Sequence, residues 1–368
     1  MGIKLGIVGV GSFAELFIPL FKSHPLVCEV TLCDLDAAKL EQKSKSHGIP
    51  KTSPSLDHLL ATDVDAVAVI TQNWLHGPQA KQALLAGKHV YSAVPMGISL
   101  EEIRGIVQAV EQTGKIYMMG ETSYYYPEVA FCREKHRNGE FGHIVYGEGE
   151  YYHDWDHGLY DVMKWRGGER WLETAGGPPM HYPTHSMSEI VSVTGAYATH
   201  VSCQGFVDRR DDGIYKAEVN RWQNVFSNQT ALFSMSDGSC CRINEFRRVG
   251  HVGTVRMSMY GTEGSFEQNS GGSAWLTKHS RESVDAAALA NILPAERLPE
   301  ELKAFSGGHN GAEKFLVDDF VKACAYGKTP PVNAWEAARY TLPGIIAHES
   351  AVMGGALCEI PDFGGPKF

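Results

Sequence analysis

A short segment near the middle of the chain combines residues that can accept and donate protons. It reads His181-Tyr-Pro-Thr-His185. The unperturbed pKa of histidine is close to neutral. His185 can therefore take the proton of a hydroxyl group while a hydride leaves the carbon that carries this hydroxyl. Pro183 and Thr184 are typical of a helix start, and Tyr182 and His185 would then project from one end of that helix. The segment predicts acid–base chemistry during oxidation of an alcohol.

A glycine-rich turn follows the first apolar run of the chain. The sequence Gly9-Val-Gly-Ser-Phe-Ala14 comes directly after Ile3–Val8. The first glycine permits a tight turn, the second lets a pyrophosphate approach the backbone, and a small third residue allows close helix packing. Asp34, at the end of the next strand, can bind a ribose 2′-hydroxyl and would repel a 2′-phosphate, which favours NAD over NADP. The predicted NAD contacts here are Gly9, Gly11, Ser12, Phe13 and Asp34.

A second loop is expected at the same cofactor. Thr71-Gln-Asn-Trp-Leu-His76 follows the apolar strand Ala66–Ile70, and ligands of open parallel sheets bind beyond the carboxyl ends of the strands. We expect Thr71, Asn73 and His76 at the cofactor. The His76 imidazole is equally compatible with a buried, hydrogen-bonded residue at a helix start.

The elements that must position these residues follow two patterns. Up to about residue 120, apolar strands alternate with helical segments, which predicts a parallel sheet with crossover helices. From Ile144 to about Phe266 come longer alternating segments, which predict a large, open, mostly antiparallel sheet. We therefore predict an α/β fold with an N-terminal Rossmann domain, residues 1–122, and a C-terminal α+β domain, residues 123–368. The expected strands of the second part are Ile144–His153, Thr199–Val207, Glu218–Phe226, Thr230–Met235, Cys240–Phe246 and Thr254–Tyr260, with a hairpin at Asp237-Gly238.

Composition narrows the class of protein. The chain has 368 residues, 43% of them hydrophobic and 21% charged, with a net charge of −10. The acidic balance argues against nucleic acid or an anionic membrane as the main partner. Eight scattered cysteines without a Cys-x-x-Cys motif, and no signal-peptide pattern at the start, predict a cytoplasmic protein. An exposed apolar sheet face is usually covered, so we expect a homodimer or homotetramer. The weakly periodic stretch 269–308 is expected to be an excursion or lid.

The motifs together resemble the Gfo/Idh/MocA oxidoreductase family. Besides the Gly9 turn and the Thr71 loop, they include Pro95 after a strand, Gly139-Glu-Phe-Gly142 and Met259-Tyr-Gly-Thr-Glu-Gly264. The resemblance covers essentially the whole chain. It implies NAD(P) in a Rossmann domain and a sugar or polyol against the open face of the second domain.

Two departures from that family are chemically important. Dehydrogenases of the family carry Glu-Lys-Pro where this chain has Ala93-Val94-Pro95, and valine cannot relay a proton. The usual Asp-x-x-x-His is replaced by His181-Tyr-Pro-Thr-His185. Both changes are similar to the NAD-dependent α-N-acetylgalactosaminidase branch of the family. That resemblance implies the active-site residues Glu121, Tyr152, Tyr182 and His185. Val94 and Pro95 are expected at the cofactor.

The same resemblance suggests a reaction for a bound glycoside. Once C3 is a ketone its C2 proton becomes acidic, and Tyr152 or His153 is the expected second base, although His153 is equally compatible with a strand-end histidine satisfied by backbone groups. His181, Trp165 and His309 are expected substrate contacts, with a plain loop equally plausible for His309.

Three functions and one rival site remain open at this point. The first function is redox-neutral glycoside cleavage, the second is net sugar dehydrogenation, and the third is NAD binding without catalysis. The rival interpretation is a metal-binding site. His181-x3-His185-x3-Glu189 has the spacing of one helix face, and the segment His153–His157 is rich in residue types that bind metals. Pro183 places His181 before the helix, so we favour no metal.

Overall fold

The computed structural model describes residues 2–289 and 291–366. Its backbone contacts divide the chain into two compact units. The first extends to Tyr126 and also includes Leu293–Ala338 and the stretch from Phe363; the second comprises Pro127–Ile292 and Arg339–Asp362. The domain division at 122/123 remains a prediction.

The strands and helices are numbered in chain order. The strands are β1 Ile3–Val8, β2 Val27–Cys33, β3 Thr52–Ser53, β4 Ala66–Val69, β5 His89–Ser92, β6 Tyr117–Met119, β7 Ile144–Tyr152, β8 Ala198–Val207, β9 Phe226–Met235, β10 Cys240–Phe246, β11 Thr254–Gly261, β12 Gly264–Asn269, β13 Gly272–Thr277, β14 Arg281–Val284 and β15 Cys358–Glu359. The α-helices are α1 Ile18–Ser23, α2 Ala37–His47, α3 Leu56–Leu60, α4 Asn73–Leu85, α5 Leu100–Thr113, α6 Pro127–Arg137, α7 Tyr160–Gly167, α8 Leu172–Ala175, α9 Thr184–Thr194, α10 Ala286–Leu289, α11 Glu300–Lys303, α12 Ala312–Tyr326 and α13 Ala334–Val352. No helix among the described residues is long and apolar enough to span a membrane.

The first unit contains the parallel sheet that the sequence predicts. Its strands lie in the order β3-β2-β1-β4-β5-β6 and every neighbouring pair is parallel. The order reverses between β1 and β4, which is the position where nucleotides bind in open α/β sheets. The predicted Rossmann architecture is confirmed.

Helix α12 belongs to the core of the first unit, although it comes almost 200 residues after that unit's sheet. Phe320 on α12 packs against Tyr91 of β5, with ring centroids 5.6 Å apart, and against Phe21 of α1 at 6.4 Å. Phe315, Leu316 and Val321 on the same helix are also buried in this core. This packing anchors the loop that precedes α12.

The second unit contains a sheet in the order β14-β13-β12-β11-β7-β10-β9-β8-β15. Neighbouring strands are antiparallel except for the pair of β7 and β10. The mostly antiparallel sheet and the α/β class are therefore confirmed. The predicted hairpin is present, since Gly238 has φ +88° and the Asp237 carboxylate accepts the backbone N–H of Ser239.

Two segments differ from expectation. The strand predicted at Glu218–Phe226 is wrong, because Asn220 Nδ2 donates to the carbonyls of Ile214, Lys216 and Asn224 and holds the segment in turns. Asx side chains compete with ladder hydrogen bonds in this way. Part of the expected excursion at 269–308 is strand, since β13 and β14 extend the sheet; Ala290 lies outside the described residues.

The middle of the open face of this sheet is charged, where an apolar surface was expected. Glu148 and Glu150 on β7 pair with Arg242, and Glu150 also pairs with Arg256. These side chains line a cavity of about 300 Å³. Exposed apolar side chains of the same face, Leu232 and Phe206, lie on the neighbouring strands β9 and β8. The homodimer or homotetramer stays a prediction.

Two glycines on the other face of β7 allow α9 to lie close to the sheet. A Cβ at Gly149 would be 2.4 Å from the Ser186 carbonyl oxygen, and one at Gly147 would be 3.0 Å from the Ile190 side chain. Ser186 follows His185, so this close packing sets the position of α9 over the strand.

Gly149→Ala is expected to destabilise the protein by about 3 kcal/mol, because the new methyl group meets backbone that cannot yield. Urea unfolding of the variant would measure the loss. Gly250→Ala is the matched control, since no described atom lies within 4 Å of its Cβ. Equal stability of the two variants would contradict the close packing of α9.

Candidate active site

The glycine turn has the geometry that a dinucleotide requires. Gly9 has φ +86°, and a Cβ there would be 2.4 Å from the Ile70 carbonyl oxygen. Only glycine is compatible with this conformation and space. Ser12 is exposed and Phe13 half-buried, whereas Ala14 is buried as the small residue of the motif. The turn therefore presents backbone and Ser12 to a ligand.

Asp34 is fixed beside this turn. Its Oδ2 accepts the backbone N–H of Val10 at 3.0 Å, and its Oδ1 accepts that of Asp36 at 2.9 Å. Gly9 donates its backbone N–H to the Cys33 carbonyl at 2.8 Å. A carboxylate has further lone pairs for a ribose hydroxyl. The turn and the acidic residue thus fit NAD, with Gly11 inside the same turn.

His76 links two loops at the carboxyl edge of the first sheet. Its Nδ1 lies 2.9 Å from the Pro95 carbonyl oxygen and its Nε2 lies 3.1 Å from that of Thr71. The side chain is buried. His76 therefore positions the Thr71 loop, which continues into α4 at Asn73, against the buried Val94–Pro95 segment. Direct contact of these residues with the cofactor remains a prediction.

Glu121 lies at the end of β6 in the first unit. It is fully buried, and its Oε1 accepts the backbone N–H of Ser123 at 2.9 Å. The carboxylate thus caps the 3₁₀ turn Thr122–Tyr125. Its catalytic role stays a prediction.

The second unit brings Tyr182 and His185 together, as the helix start implied. Their ring centroids are 5.3 Å apart at an interplanar angle of 74°. Helix α9 begins at Thr184, and Met187 donates its backbone N–H to Pro183. Tyr151 of β7 completes the group, at 5.3 Å from His185 and 6.0 Å from Tyr182.

The tyrosine of β7 in this group is Tyr151, and the structure does not bring Tyr152 to it. Side chains alternate between the faces of a strand. Tyr151 shares the face of Gly147 and Gly149 beneath α9, whereas Tyr152 stacks on Phe246 of the opposite face at 5.0 Å. Sequence reasoning missed Tyr151, yet the two glycines of the same face are a signal that could have identified it.

His153 joins the group through a hydrogen bond. Its Nδ1 lies 3.0 Å from the Tyr151 hydroxyl. Burial, followed by the charges of Arg247 and Arg166, lowers the pKa of His153 to about 4. The imidazole is therefore neutral at pH 7 and can accept a hydrogen bond from the Tyr151 hydroxyl.

A buried ion pair packs against the ring of Tyr151. The Arg247 guanidinium carbon lies 4.8 Å from the Tyr151 ring centroid, and its Nη2 donates to Glu245 at 3.2 Å. Ser186 donates its hydroxyl to the other Glu245 oxygen at 2.6 Å. Since Ser186 adjoins His185, this network connects the tyrosine to α9. None of these three residues was expected at the site.

His181 is directed elsewhere. It lies in the 3₁₀ turn Pro179–His181, before α9, and its ring packs 5.1 Å from that of His348. Burial lowers the pKa of His181 to about 3 and that of His348 to about 4. The expected substrate contact of His181 stays a prediction, and the geometry is that of a neutral, partly buried pair.

This pair makes stability depend on acidity. The pKa of both histidines is lower in the folded chain than in the unfolded chain, where it is near 6.5. Their contribution to the free energy of unfolding is therefore complete above pH 6.5 and is lost as the pH falls toward about 4. His348→Gln, which keeps an acceptor for Gln229, is expected to remove about 3 kcal/mol of this loss. Urea unfolding across pH 4–7 measures it. Exposed His279→Gln is the control, and an unchanged pH dependence of His348→Gln would contradict the interpretation.

Trp165 and His309 are the other two expected substrate contacts, and a metal site is the alternative that the sequence left open. Trp165 is 57% exposed on α7, whereas Trp155 and Trp171 belong to a separate apolar cluster. His309 lies in the first unit, against Phe13. Among the described residues, no group of three or more histidine, cysteine or acidic side chains is arranged to hold a metal ion.

Comparison with known proteins assigns the chain to a family. Residues 3–121 match the NAD-binding Rossmann domain of the Gfo/Idh/MocA oxidoreductase family, and residues 133–355 match its C-terminal alpha/beta domain. The chain belongs to this family. Its cofactor is NAD, in agreement with the Gly9 turn and Asp34.

Individual relatives cover nearly the whole chain. A glycosyl hydrolase family 109 protein from Streptomyces niveus is 27% identical over 98% of this chain and 77% of its own. A 1-carboxy-3-chloro-3,4-dihydroxycyclohexa-1,5-diene dehydrogenase from Comamonas testosteroni is 24% identical over 94% of both chains. Among solved structures, levoglucosan dehydrogenase with NADH and levoglucosan has a TM-score of 0.79 at 18% identity, covering 98% of this chain and 100% of that one. This last likeness concerns the fold.

Proposed function

We propose that this NAD-dependent enzyme acts on a sugar or glycoside, removing hydride from a ring carbinol, C3, during redox-neutral cleavage of the glycosidic bond. The observation that carries the proposal is the grouping of His185, Tyr182, Tyr151 and His153. Names of relatives in glycosyl hydrolase family 109 support it. The dehydrogenase from Comamonas testosteroni supports net dehydrogenation as the alternative.

The first proton is assigned to His185. It takes the C3 hydroxyl proton as the C3 hydride leaves, with the neighbouring Tyr182 hydroxyl holding the same oxygen. NAD, when bound, accepts that hydride and returns it at the end, so that the net redox change is zero. Val94 cannot exchange a proton, so the proton transfers fall to the residues of the second unit.

The second proton is assigned to Tyr151. In its phenolate form, beside the Arg247 guanidinium, Tyr151 takes the proton from C2, made acidic by the C3 ketone, and becomes a phenol that hydrogen-bonds to His153 at 3.0 Å. The electron pair of the C2–H bond forms a C1–C2 double bond and expels the aglycone from C1. Water then adds across that bond, with oxygen at C1 and hydrogen at C2, before the C3 ketone is reduced.

Incubation with a panel of aryl glycosides in D₂O tests the proposal. NADH absorbance, aglycone release and deuterium at C2 are followed together. Release with C2 deuteration and without accumulated NADH is the expected result. Stoichiometric NADH with an intact glycosidic bond would replace the proposal by net dehydrogenation. Tight NAD binding without turnover of any glycoside would replace it by a non-catalytic role.

A further inference from the structure

A histidine from the C-terminal part of the sequence borders the nucleotide turn. His309 precedes α12, and its ring centroid is 6.1 Å from that of Phe13, edge to face. A Cβ at Gly308 of the same loop would be 3.4 Å from the Leu16 side chain. Phe13 and Leu16 begin and end the 3₁₀ turn that follows the Gly9 motif. The loop before α12 therefore packs on the phosphate-binding turn, within the first unit.

Glu313 fixes the orientation of this histidine. Its Oε1 accepts the Nδ1–H of His309 at 2.7 Å and the backbone N–H of the same residue at 3.0 Å. A carboxylate only accepts hydrogen bonds, so Nδ1 must be the donor. Nε2 is left for another group, and the His309 side chain is 35% exposed. A Cβ at Gly307 would be 2.6 Å from Glu313 Oε2, so the loop closes tightly around the carboxylate.

Glu313 is a buried carboxylate beside His309. The Glu313 side chain is fully buried, and burial raises the pKa of its carboxyl, but the hydrogen bonds from His309 outweigh this and lower it overall. A buried carboxylate is stable only when it is paired. The two hydrogen bonds from His309 supply that pairing.

The nucleotide turn has no cationic side chain of its own. Gly9–Phe13 contains no lysine, arginine or histidine, and the next charged residue is the acidic Glu15. Glu15 pairs with Lys43 and with His47 of α2. A pyrophosphate carries two negative charges, and hydrogen bonds from ionised donors are about twice as strong as neutral ones.

We propose that His309, as an imidazolium when NAD is bound, donates Nε2–H to the pyrophosphate of NAD, and that Glu313 is the positioning residue that holds the imidazole oriented through Nδ1. This assigns His309 to the cofactor instead of the sugar. The inference rests on NAD binding alone and is independent of the glycoside chemistry, so that failure of one leaves the other intact.

Titration of the full-length chain with NAD, ADP and adenosine tests this assignment calorimetrically. His309→Ala is expected to weaken binding of NAD and ADP about ten-fold or more, and Glu313→Gln about ten-fold, with adenosine affected by less than about two-fold. Glu300→Gln, which removes a carboxylate from the exposed pair with Lys303, is the control and should bind all three ligands as the unmodified chain does.

Two results would overturn the assignment. An unchanged NAD affinity of His309→Ala with a raised KM for the sugar would place His309 at the substrate. An equal loss for adenosine and ADP, in either variant, would mean that the loop only supports the local fold. Melting temperatures of the variants confirm that the comparison is made on folded protein.

Discussion

Replacement of His185 by glutamine is expected to lower turnover by about 10²- to 10⁴-fold, the range that a positioned general base contributes. Glutamine fills the space and can hydrogen-bond, but it cannot take the hydroxyl proton as hydride leaves. His185 is 6% exposed and packed by Tyr151 and Tyr182, so the side chain at this position has little room to be replaced by solvent. Single-turnover NADH formation measures the step directly.

The control for this variant is His200→Gln, which makes the same change at an exposed residue of β8. NAD affinity should be the same in both variants, because the nucleotide residues belong to the first unit. If His185→Gln retained more than about a tenth of the turnover, the base would have to be another group.

The second large effect separates two adjacent tyrosines. Tyr151→Phe is expected to lower the rate of C2 deuterium exchange by about 10²-fold, because it removes the hydroxyl that hydrogen-bonds His153. Tyr152→Phe is expected to change it by less than roughly three-fold, since that residue faces the other side of β7. The two variants remove the same atom from neighbouring positions, so each is the matched control of the other.

The opposite order of effects would contradict the side-chain alternation on which the site is built. A large and equal loss in both variants would indicate that β7 as a whole had been disturbed, and the melting temperatures would then fall together. Tyr152 has some structural value, because burial and the charge of Glu150 raise the pKa of its hydroxyl and Arg256 lies 5.5 Å from its ring centroid.

The nucleotide half of the protein could be predicted because its signals are local. A glycine turn needs only the strand before it and the helix after it, and Asp34 needs only the end of the next strand. His309 was different, since its contact with Phe13 depends on α12 packing into the first core. Neither segment carries a sequence signal for a contact between residues almost 300 positions apart.

The second half was predicted in outline but not in detail. Alternation correctly predicted the strands β7, β8, β9, β10 and β11, whereas the strand expected at Glu218–Phe226 was overridden by hydrogen bonds of the Asn220 side chain. The choice between Tyr151 and Tyr152 depended on which face of β7 α9 covers, and a shift of one residue exchanges every side chain between faces.

The family, the cofactor, the two kinds of sheet and the pairing of Tyr182 with His185 could be predicted from the sequence. Each of these features depends on residues that are close along the chain. Tertiary structure alone decided that Tyr151 stands over Arg247 and beside His185, that His309 borders the glycine turn, and that the middle of the open sheet face is charged. Those outcomes arise from packing between distant segments, where close approach at Gly149 and burial of Glu313 select one arrangement among those that local preferences allow.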